Sequence, residues 1–470
     1  MISARSLASN FSIQLAGKVL SVILGLIIIA IITRTLGTAA FGEYTTAVTY
    51  LQMFGVVVDF GLTLTLIVMI SEKGVNEEKI VGNFFGLRLI SGALLFSLAP
   101  ITILAFPFTT AVKQAVLIGA LAYFFMGGAT MLIGIFQKHE SMWRAALAEL
   151  INRAVLLGLV VLFALTLPTV GAMVFASVVA NLLWLFAIVH FAKKFVVIRP
   201  LFDMSIWRSI LSRSWPIAVS IAFNLLYLKG DILFLAYFRP EAEVGLYGMA
   251  YRIIDVLTVV PVMFMGLMLP SLVATWSAGN KKDFRKHVSR IFDLFAMTVI
   301  PVVVGAQLVA TELTVLIAGN DFAASGPALA LLILALIGVF LGALYGHLIV
   351  ALNKQKIMTL GYVFVAVISI VGYMWLIPAH GMWGAIWVTL VSEAIIAAIT
   401  FIVVWRVSGA LPSMIVTLKA LIAAGVMYLV LQPMDVPVLI DLIVGATVYG
   451  GALLAMRAIT IKELKTLMPS

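Results

Sequence analysis

The sequence contains no cysteine, and this absence removes several chemistries at once. A disulfide framework, a thiol nucleophile and a thiolate metal site all require that residue. Charged residues are also scarce: they form 11% of the 470 residues, against roughly 25% in an average soluble domain. Histidine occurs five times, never with a metal-ligand spacing such as His-x3-His. We therefore expect no metal site and no cofactor.

Apolar residues are correspondingly abundant, at 63% of the chain, where soluble domains carry roughly 45–50%. A soluble core cannot account for this excess, so the composition predicts an integral membrane protein. The first apolar run, about residues 11–33, is longer than the roughly 7–15 residues of a signal-peptide core. We interpret it as a membrane helix that is retained.

Long apolar runs separated by turn and charge residues define the membrane spans. A bilayer core needs roughly 20 apolar residues of helix. This criterion predicts an all-α membrane protein with fourteen transmembrane helices, near residues 11–33, 44–70, 80–105, 114–136, 145–166, 171–192, 214–238, 246–275, 291–318, 327–352, 357–377, 383–405, 413–431 and 438–456.

Lysine and arginine predict the orientation, because cytoplasmic loops carry more of them. With a cytoplasmic N-terminus, 21 of the 30 fall in cytoplasmic loops and only Arg34, Lys113 and Arg239 fall outside. Both termini are therefore predicted to be cytoplasmic. The net charge of +10 reflects this asymmetry, so it indicates no nucleic-acid partner.

Two short motifs recur at nearly one offset. G-x-Y-x-x-A begins at Gly42 and again at Gly245, and P-x-x-G begins at Pro168 and again at Pro378. The offset spans six helices, so the two halves share one orientation. We predict two pseudo-symmetric six-helix lobes, 1–200 and 201–408, followed by two C-terminal helices and a cytoplasmic tail in 409–470. In such parallel repeats a substrate site between the halves is expected.

Charges inside predicted spans are the main candidates for function, because a buried charge costs about 2.5–3.5 kcal/mol on insertion scales. The basic candidates for an anionic cargo such as a pyrophosphate are Lys18, Arg88, Arg153, Lys229 and Arg252. The acidic candidates for ion coupling are Asp59, Asp231, Asp255 and Glu393. Arginine suits phosphate oxygens because its guanidinium can bind them in a bidentate manner.

Several of these charges also have structural interpretations, which the sequence leaves open. Glu149 precedes Arg153 by four residues, the favourable order for an intrahelical ion pair. Arg252 and Asp255 are three residues apart and could neutralise each other, and Lys18 is near enough to the interface to snorkel. Asp59 has no basic residue one turn away. It is expected either to pair with another helix or to carry a coupling proton.

The motifs themselves resemble a known family. Thr33-Arg34-Thr35-Leu36-Gly37 followed by Phe41-Gly42-Glu43-Tyr44 resembles the T-R-x-L-G-x-x-x-F-G-x-Y signature of polysaccharide flippases. Gly230 to Leu233, Val244 to Tyr247, Ala250 to Arg252 and Leu269-Pro270 resemble their second conserved stretch. Ile377-Pro378, Gly381, Gly384 to Ile386 and Glu393 resemble the third. The chain is similar over nearly its whole length to the polysaccharide transporter family of the multidrug/oligosaccharidyl-lipid/polysaccharide exporter superfamily.

The resemblance implies a multi-pass protein of the plasma or inner membrane that is not an enzyme. It implies alternating access and a polyprenyl-pyrophosphate-linked oligosaccharide as cargo, with Lys18, Arg88 and Arg252 placed to engage the pyrophosphate. Relatives move O-antigen units for lipopolysaccharide, capsule units, teichuronic-type units or archaeal glycan precursors. Expected partners are the cargo, membrane lipids and, further along the pathway, polysaccharide polymerase or ligase machinery.

Other functions stay open at this stage. A lipid II flippase of the same superfamily also carries cationic cavity residues, whereas a multidrug or cation antiporter favours a more acidic cavity. A membrane glycan polymerase or acyltransferase, from another class, needs a long outer loop or a His/Asp constellation. Neither is visible in the sequence.

The predicted orientation can be tested by cysteine accessibility, since the chain has no cysteine of its own. Lys281→Cys is expected to react with an impermeant maleimide only from the cytoplasmic side. Lys113→Cys is expected to react from the outside. Labelling of position 281 from the outside alone would overturn the orientation.

Overall fold

The computed structural model describes residues 4–458, with side chains described from residue 17 onward except at 216, 217 and 220. Residues 1–3 and the predicted tail after 458 lie outside this range. The described chain has two short 3-10 segments, no β-strand and fifteen α-helices. These are α1 Ala4–Asp59, α2 Leu62–Ile70, α3 Glu77–Thr102, α4 Thr110–Lys138, α5 Met142–Thr166, α6 Val170–Ala192, α7 Met204–Phe238, α8 Glu241–Ser277, α9 Lys281–Ala318, α10 Ser325–Leu332, α11 Ala335–Ala351, α12 Gln355–His380, α13 Met382–Ser408, α14 Ile415–Leu431 and α15 Val438–Ala455.

The all-helical membrane fold is confirmed. Twelve segments of the described chain are long and apolar enough to cross a membrane, and α14 is a shorter apolar helix at the thirteenth predicted span. The first segment, residues 17–70, covers the first two predicted spans. The break predicted at 34–43 is present as a kink: two helical stretches of α1 meet at Gly37, whose φ of 71° is left-handed. Glycine takes this conformation without a Cβ penalty.

The described chain divides into two compact units. Unit 1 comprises residues 1–245 and 317–319, and unit 2 comprises residues 246–316 and 320–470. Residues 201–245, including α7, therefore belong to unit 1, although the sequence interpretation begins the second lobe at 201. The division into symmetric lobes stays a prediction. Within unit 1, a buried apolar cluster contains Leu66, Phe84 and Phe136.

The two copies of the G-x-Y-x-x-A motif meet at their glycines within unit 1. A Cβ on Gly42 would lie 1.8 Å from the carbonyl oxygen of Glu241, and one on Gly245 would lie 2.0 Å from that of Thr38. The contact is reciprocal, since each glycine faces the backbone four residues before the other. Small residues let membrane helices approach to backbone contact, which explains why both motif copies need glycine here.

The linker between α6 and α7 is hydrogen-bonded to α3 and packs against it. The backbone N–H of Leu201 donates to the carbonyl oxygen of Gly82 at 2.9 Å. Asn83 accepts two hydrogen bonds where the linker meets α7: its side-chain oxygen accepts from the N–H of Asp203 at 2.8 Å, and its backbone carbonyl accepts from the indole N–H of Trp207 on α7 at 3.0 Å. A Cβ on Gly86 would lie 2.2 Å from the carbonyl oxygen of Leu201, so glycine is what admits the linker.

Asp203 completes this attachment with a charge. Its carboxylate lies 3.1 Å from the ammonium of Lys79 and accepts a 2.6 Å hydrogen bond from the Ser205 hydroxyl. The Ser205 hydroxyl first, and then Lys79, lowers the pKa of Asp203 to about 2. Its contribution to the attachment is therefore full above the pKa of the unfolded state and is lost as the pH falls through about 2.

The glycine contact generates a direct test. Gly42→Ala is expected to destabilise the protein by about 1–3 kcal/mol, because the new methyl group overlaps the Glu241 carbonyl and forces α1 and α8 apart. The thermal unfolding midpoint of purified protein measures this. Gly55→Ala on the same helix is the matched control, since its Cβ would meet only Tyr123 at 3.6 Å. Equal midpoints for the two variants would contradict the proposed role of the contact.

Candidate functional site

The second predicted span is broken in its middle, next to an acidic side chain. Helix α1 ends at Asp59 and α2 begins at Leu62, and between them Phe60 and Gly61 have φ values of 46° and 72°. A break inside a membrane frees carbonyl groups that other groups must satisfy. At this break the carbonyl oxygen of Gly61 accepts both the backbone N–H of Thr65 at 3.1 Å and the Thr65 hydroxyl at 2.9 Å.

The acid at this break pairs with a buried arginine. Nη1 of Arg88 on α3 lies 3.5 Å from Oδ1 of Asp59. Oδ1 also accepts a 2.7 Å hydrogen bond from the hydroxyl of Thr63. Arg88 is only 5% exposed, whereas the Asp59 side chain is 24% exposed. The pairing of Asp59 across helices is therefore present in the structure, and its role in ion coupling stays a prediction.

The guanidinium of Arg88 is not fully satisfied by this pair. Within the described chain Nη1 has no hydrogen-bond partner, since 3.5 Å to Asp59 is an ion-pair distance and not a short hydrogen bond. Buried donors are normally hydrogen-bonded, so an unused donor on a buried arginine is exceptional. It leaves Arg88 with an N–H that can donate to an anionic oxygen.

Gly127 on α4 leaves space for the Arg88 side chain. The sequence analysis did not identify Gly127 as part of the site. A Cβ at position 127 would lie 2.3 Å from Nη2 of Arg88. The neighbouring Gly128 faces elsewhere, because its Cβ would meet only side chains, beginning with Leu185 at 3.2 Å. The one available signal was the Gly127-Gly128 pair in the middle of an apolar span.

The second basic group of unit 1 lies between α1 and α5. Nζ of Lys18 is 3.1 Å from Oε1 of Glu149. The expected intrahelical pair of Glu149 with Arg153 is not among the ion pairs of the described residues, so the spacing rule named the wrong partner. Arg153 is half-buried, its Nε has no hydrogen bond within the described chain, and Nη1 would lie 3.9 Å from a Cβ on Gly25.

The sequence analysis also did not identify a chain of hydrogen bonds that begins at Asn152, next to Arg153. The amide of Asn152 donates to Oδ1 of Asn181 at 2.9 Å, and the amide of Asn181 donates to the carbonyl oxygen of Ala122 at 3.1 Å. These bonds join α5, α6 and α4. They help to hold α5, which carries Glu149 and Arg153, against its neighbours.

The remaining candidates are dispersed between the units. Lys229 is half-buried on α7, and Asp231 two residues later is fully buried. In unit 2, Arg252 and Asp255 are half-buried on α8. Glu393 on α13 is 3% exposed. Their assignment to cargo binding or ion coupling stays a prediction.

Comparisons with known proteins agree with the resemblance seen in the motifs. Residues 7–276 match the family described as "Polysaccharide biosynthesis protein". The probable flippase AglR of Haloferax volcanii is 26% identical over 241 residues, which are 48% of this chain and 50% of that protein. The match thus spans about half of that relative's length.

Two solved structures share the fold. The lipid II flippase MurJ in an inward closed conformation superposes with a TM-score of 0.78 at 15% identity, covering 93% of this chain and 97% of that one. An inward-facing multidrug resistance MATE family transporter of the MOP superfamily gives a TM-score of 0.67 at 15% identity, covering 82% and 95%. These likenesses confirm the predicted fold class.

The Asp59–Arg88 pair can be tested by a double-mutant cycle. Asp59→Asn is expected to cost about 3–5 kcal/mol, because it leaves a 5% exposed arginine without its counter-charge. Adding Arg88→Gln should recover part of that loss, since no buried charge then remains. The thermal unfolding midpoints of the single and double variants measure the coupling. Strictly additive effects would show that the two residues do not interact.

Proposed function

Because the chain belongs to the polysaccharide biosynthesis protein family, we propose that it is a flippase that carries a polyprenyl-pyrophosphate-linked oligosaccharide from the cytoplasmic to the outer leaflet. The observation that carries the proposal is the unused donor of the buried Arg88. In this proposal the protein crosses the cell membrane several times and works by alternating access, and the unused donor of Arg88 binds the cargo during transport. The relatives with stated functions are flippases and transporters, which supports a transporter and not an enzyme.

The chemistry of Arg88 favours an anionic cargo over a cationic one. A guanidinium can give two parallel N–H donors to phosphate oxygens, and these charge-assisted bonds are about twice as strong as neutral ones. The acid at the same site, Asp59, is already neutralised by Arg88 at 3.5 Å. A cation antiporter would need that carboxylate free, so the pairing argues against a multidrug exporter.

The same pair offers a way to couple cargo to an ion. A pyrophosphate bound at Arg88 competes with Asp59 for the guanidinium. Asp59 would keep the hydrogen bond from the Thr63 hydroxyl but lose Arg88 as its counter-charge. A carboxylate without a counter-charge in a membrane interior favours the uptake of a proton or another cation. In this proposal Asp59 couples ion uptake to cargo loading.

Arg252 is the candidate for a second phosphate contact. It is half-buried on α8. Lys18 has Glu149 as a partner and is a weaker candidate. A lipid II flippase shares the lipid pyrophosphate and is the alternative cargo assignment. A glycan polymerase or ligase acting on the delivered product stays a predicted partner.

Transport in proteoliposomes tests the proposal. Arg88→Gln and Arg252→Gln are each expected to slow flipping of a fluorescent lipid-linked oligosaccharide at least about tenfold, the loss of roughly 1.4 kcal/mol of phosphate binding. Arg252→Lys should restore only part, because lysine lacks the planar fork. Adding Asp255→Asn to Arg252→Gln should restore nothing. Recovery in that double variant would favour a structural role for Arg252.

Gly127 supplies an independent variant at the same site. Gly127→Ala displaces the Arg88 guanidinium without removing its charge, so we expect slowed transport comparable to that of Arg88→Gln. Gly128→Ala is the matched control and should transport normally. All variants must elute as monodisperse species for the comparison to count as a transport effect. Equal transport of fluorescent lipid II would assign the alternative cargo, and transport of neither lipid would reject the flippase proposal.

A further inference from the structure

The first three turns of α9 carry a dense group of cations. Residues 281–290 include five exposed basic side chains: Lys281, Lys282, Arg285, Lys286 and Arg290. The segment belongs to unit 2 and directly precedes the span predicted to begin at residue 291, on the side predicted to be cytoplasmic. The general excess of lysine and arginine on that side explains why cations occur there. It does not explain how they are arranged on this helix.

Three of these cations form a stripe along one face of α9. Lys282, Lys286 and Arg290 follow each other at intervals of four residues, a spacing that places neighbouring side chains on the same helix face. The opposite face holds Phe284 and Val288, which are buried. We call Lys282, Lys286 and Arg290 the basic stripe. Because it points away from the core of unit 2, its charges are available to a partner outside the chain.

The basic stripe opposes the stability of its own helix. Like charges four residues apart repel each other, and cations in the first turns face the positive end of the helix dipole. The acid in this segment, Asp283, is engaged at the helix start. The amide of Asn280 donates to its Oδ2 at 2.6 Å, and its own N–H donates to Oδ1 of Asn280 at 3.2 Å. Folding therefore does not explain the stripe, whereas an anion bound along it would relieve the repulsion.

Arg285 holds the start of α9 against the end of α13. Its Nε donates to the carbonyl oxygen of Ser408 at 2.8 Å, and a cation is favourable at a helix C-terminus. Gly409 leaves space for this contact, since a Cβ there would lie 2.5 Å from Nη2 of Arg285. One turn earlier on α13, Trp405 is 43% exposed. The stripe is thus held in place on a helix packed beside an aromatic residue of the type that anchors helices at a membrane surface.

The position of the basic stripe along α9 fits the headgroup layer of a bilayer. At a rise of about 1.5 Å per residue, Arg290, Lys286 and Lys282 lie about 1.5, 7.5 and 13.5 Å before residue 291. The headgroup region adds about 5–8 Å on each side of the hydrocarbon core. Arg290 and Lys286 are therefore at the depth of lipid phosphates, and Lys282 is beyond its outer edge. A soluble acidic protein would reach only the Lys282 end.

We propose that the basic stripe binds the headgroups of anionic phospholipids in the leaflet on its side of the membrane. Basic side chains that cluster next to a membrane helix attract such lipids by charge. Bound phosphodiesters would supply the negative charge that the stripe lacks. The proposed lipid site lies in unit 2, whereas the Asp59–Arg88 pair lies in unit 1, so it does not depend on which cargo the protein carries.

Native mass spectrometry of the purified full-length protein with phosphatidylglycerol tests this site. The tightest-bound phosphatidylglycerol is expected to bind at least about tenfold more weakly when Lys282→Gln, Lys286→Gln and Arg290→Gln are combined. Phosphatidylcholine, which has no net charge, should bind weakly to both proteins. Lys193→Gln, Lys194→Gln and Arg199→Gln together form the matched control, because they remove the same charge from exposed positions of unit 1. Equal losses in the two triple variants would overturn the proposal, since the effect would then be one of overall charge.

The thermal unfolding midpoint gives a second measurement on the same proteins. Without anionic lipid, the stripe variant is expected to unfold at or above the wild-type temperature, because it has lost its internal repulsion. Added phosphatidylglycerol should raise the midpoint of the wild type and the control but not that of the stripe variant. A lower midpoint of the stripe variant without lipid would show that the stripe serves folding. That result, or displacement of phosphatidylglycerol by a soluble polyglutamate peptide, would overturn the proposal.

Discussion

The pairing of Asp59 with Arg88 is the constraint around which unit 1 is arranged. A charge buried in a membrane interior must be neutralised inside the protein, and Arg88 is 5% exposed. Its partner must then reach it from another helix, and the left-handed residues Phe60 and Gly61 end α1 so that Asp59 lies at the break. The absence of a side chain at position 127 gives the guanidinium its space. The break after Asp59, the glycine at position 127 and the hydrogen bond from Thr63 all serve to neutralise the charge of Arg88.

Glycine provides the space for each of the close contacts that organise this chain. Helices in a membrane gain little from burying apolar surface against each other, so close packing has to come from small residues. Gly42 and Gly245 admit each other's backbone, and Gly86 admits the linker before α7. At the Asp59–Arg88 pair a glycine admits a charged group, since Gly127 lies against the Arg88 guanidinium.

Hydropathy predicted the membrane spans, because burying an apolar helix in lipid depends on composition and length alone. It separated the first two spans around Gly37 but could not predict the break at Gly61, which depends on single backbone conformations inside a run that remains apolar. The candidate charges were recognised from their positions, yet their partners were not. A search for partners one turn away on the same helix could not find that Arg88 pairs with Asp59, which is 29 residues away. It also could not find that Glu149 pairs with Lys18. Partners on other helices need the tertiary structure.

The counter-charge already present beside Arg88 determines how that site can bind an anion. The pair at 3.5 Å is neutral overall, so an anion that binds the guanidinium competes with Asp59. Whether the anion stays bound then depends on how strongly it binds relative to Asp59. Such a site is suited to release its cargo once conditions favour the Asp59–Arg88 pair again.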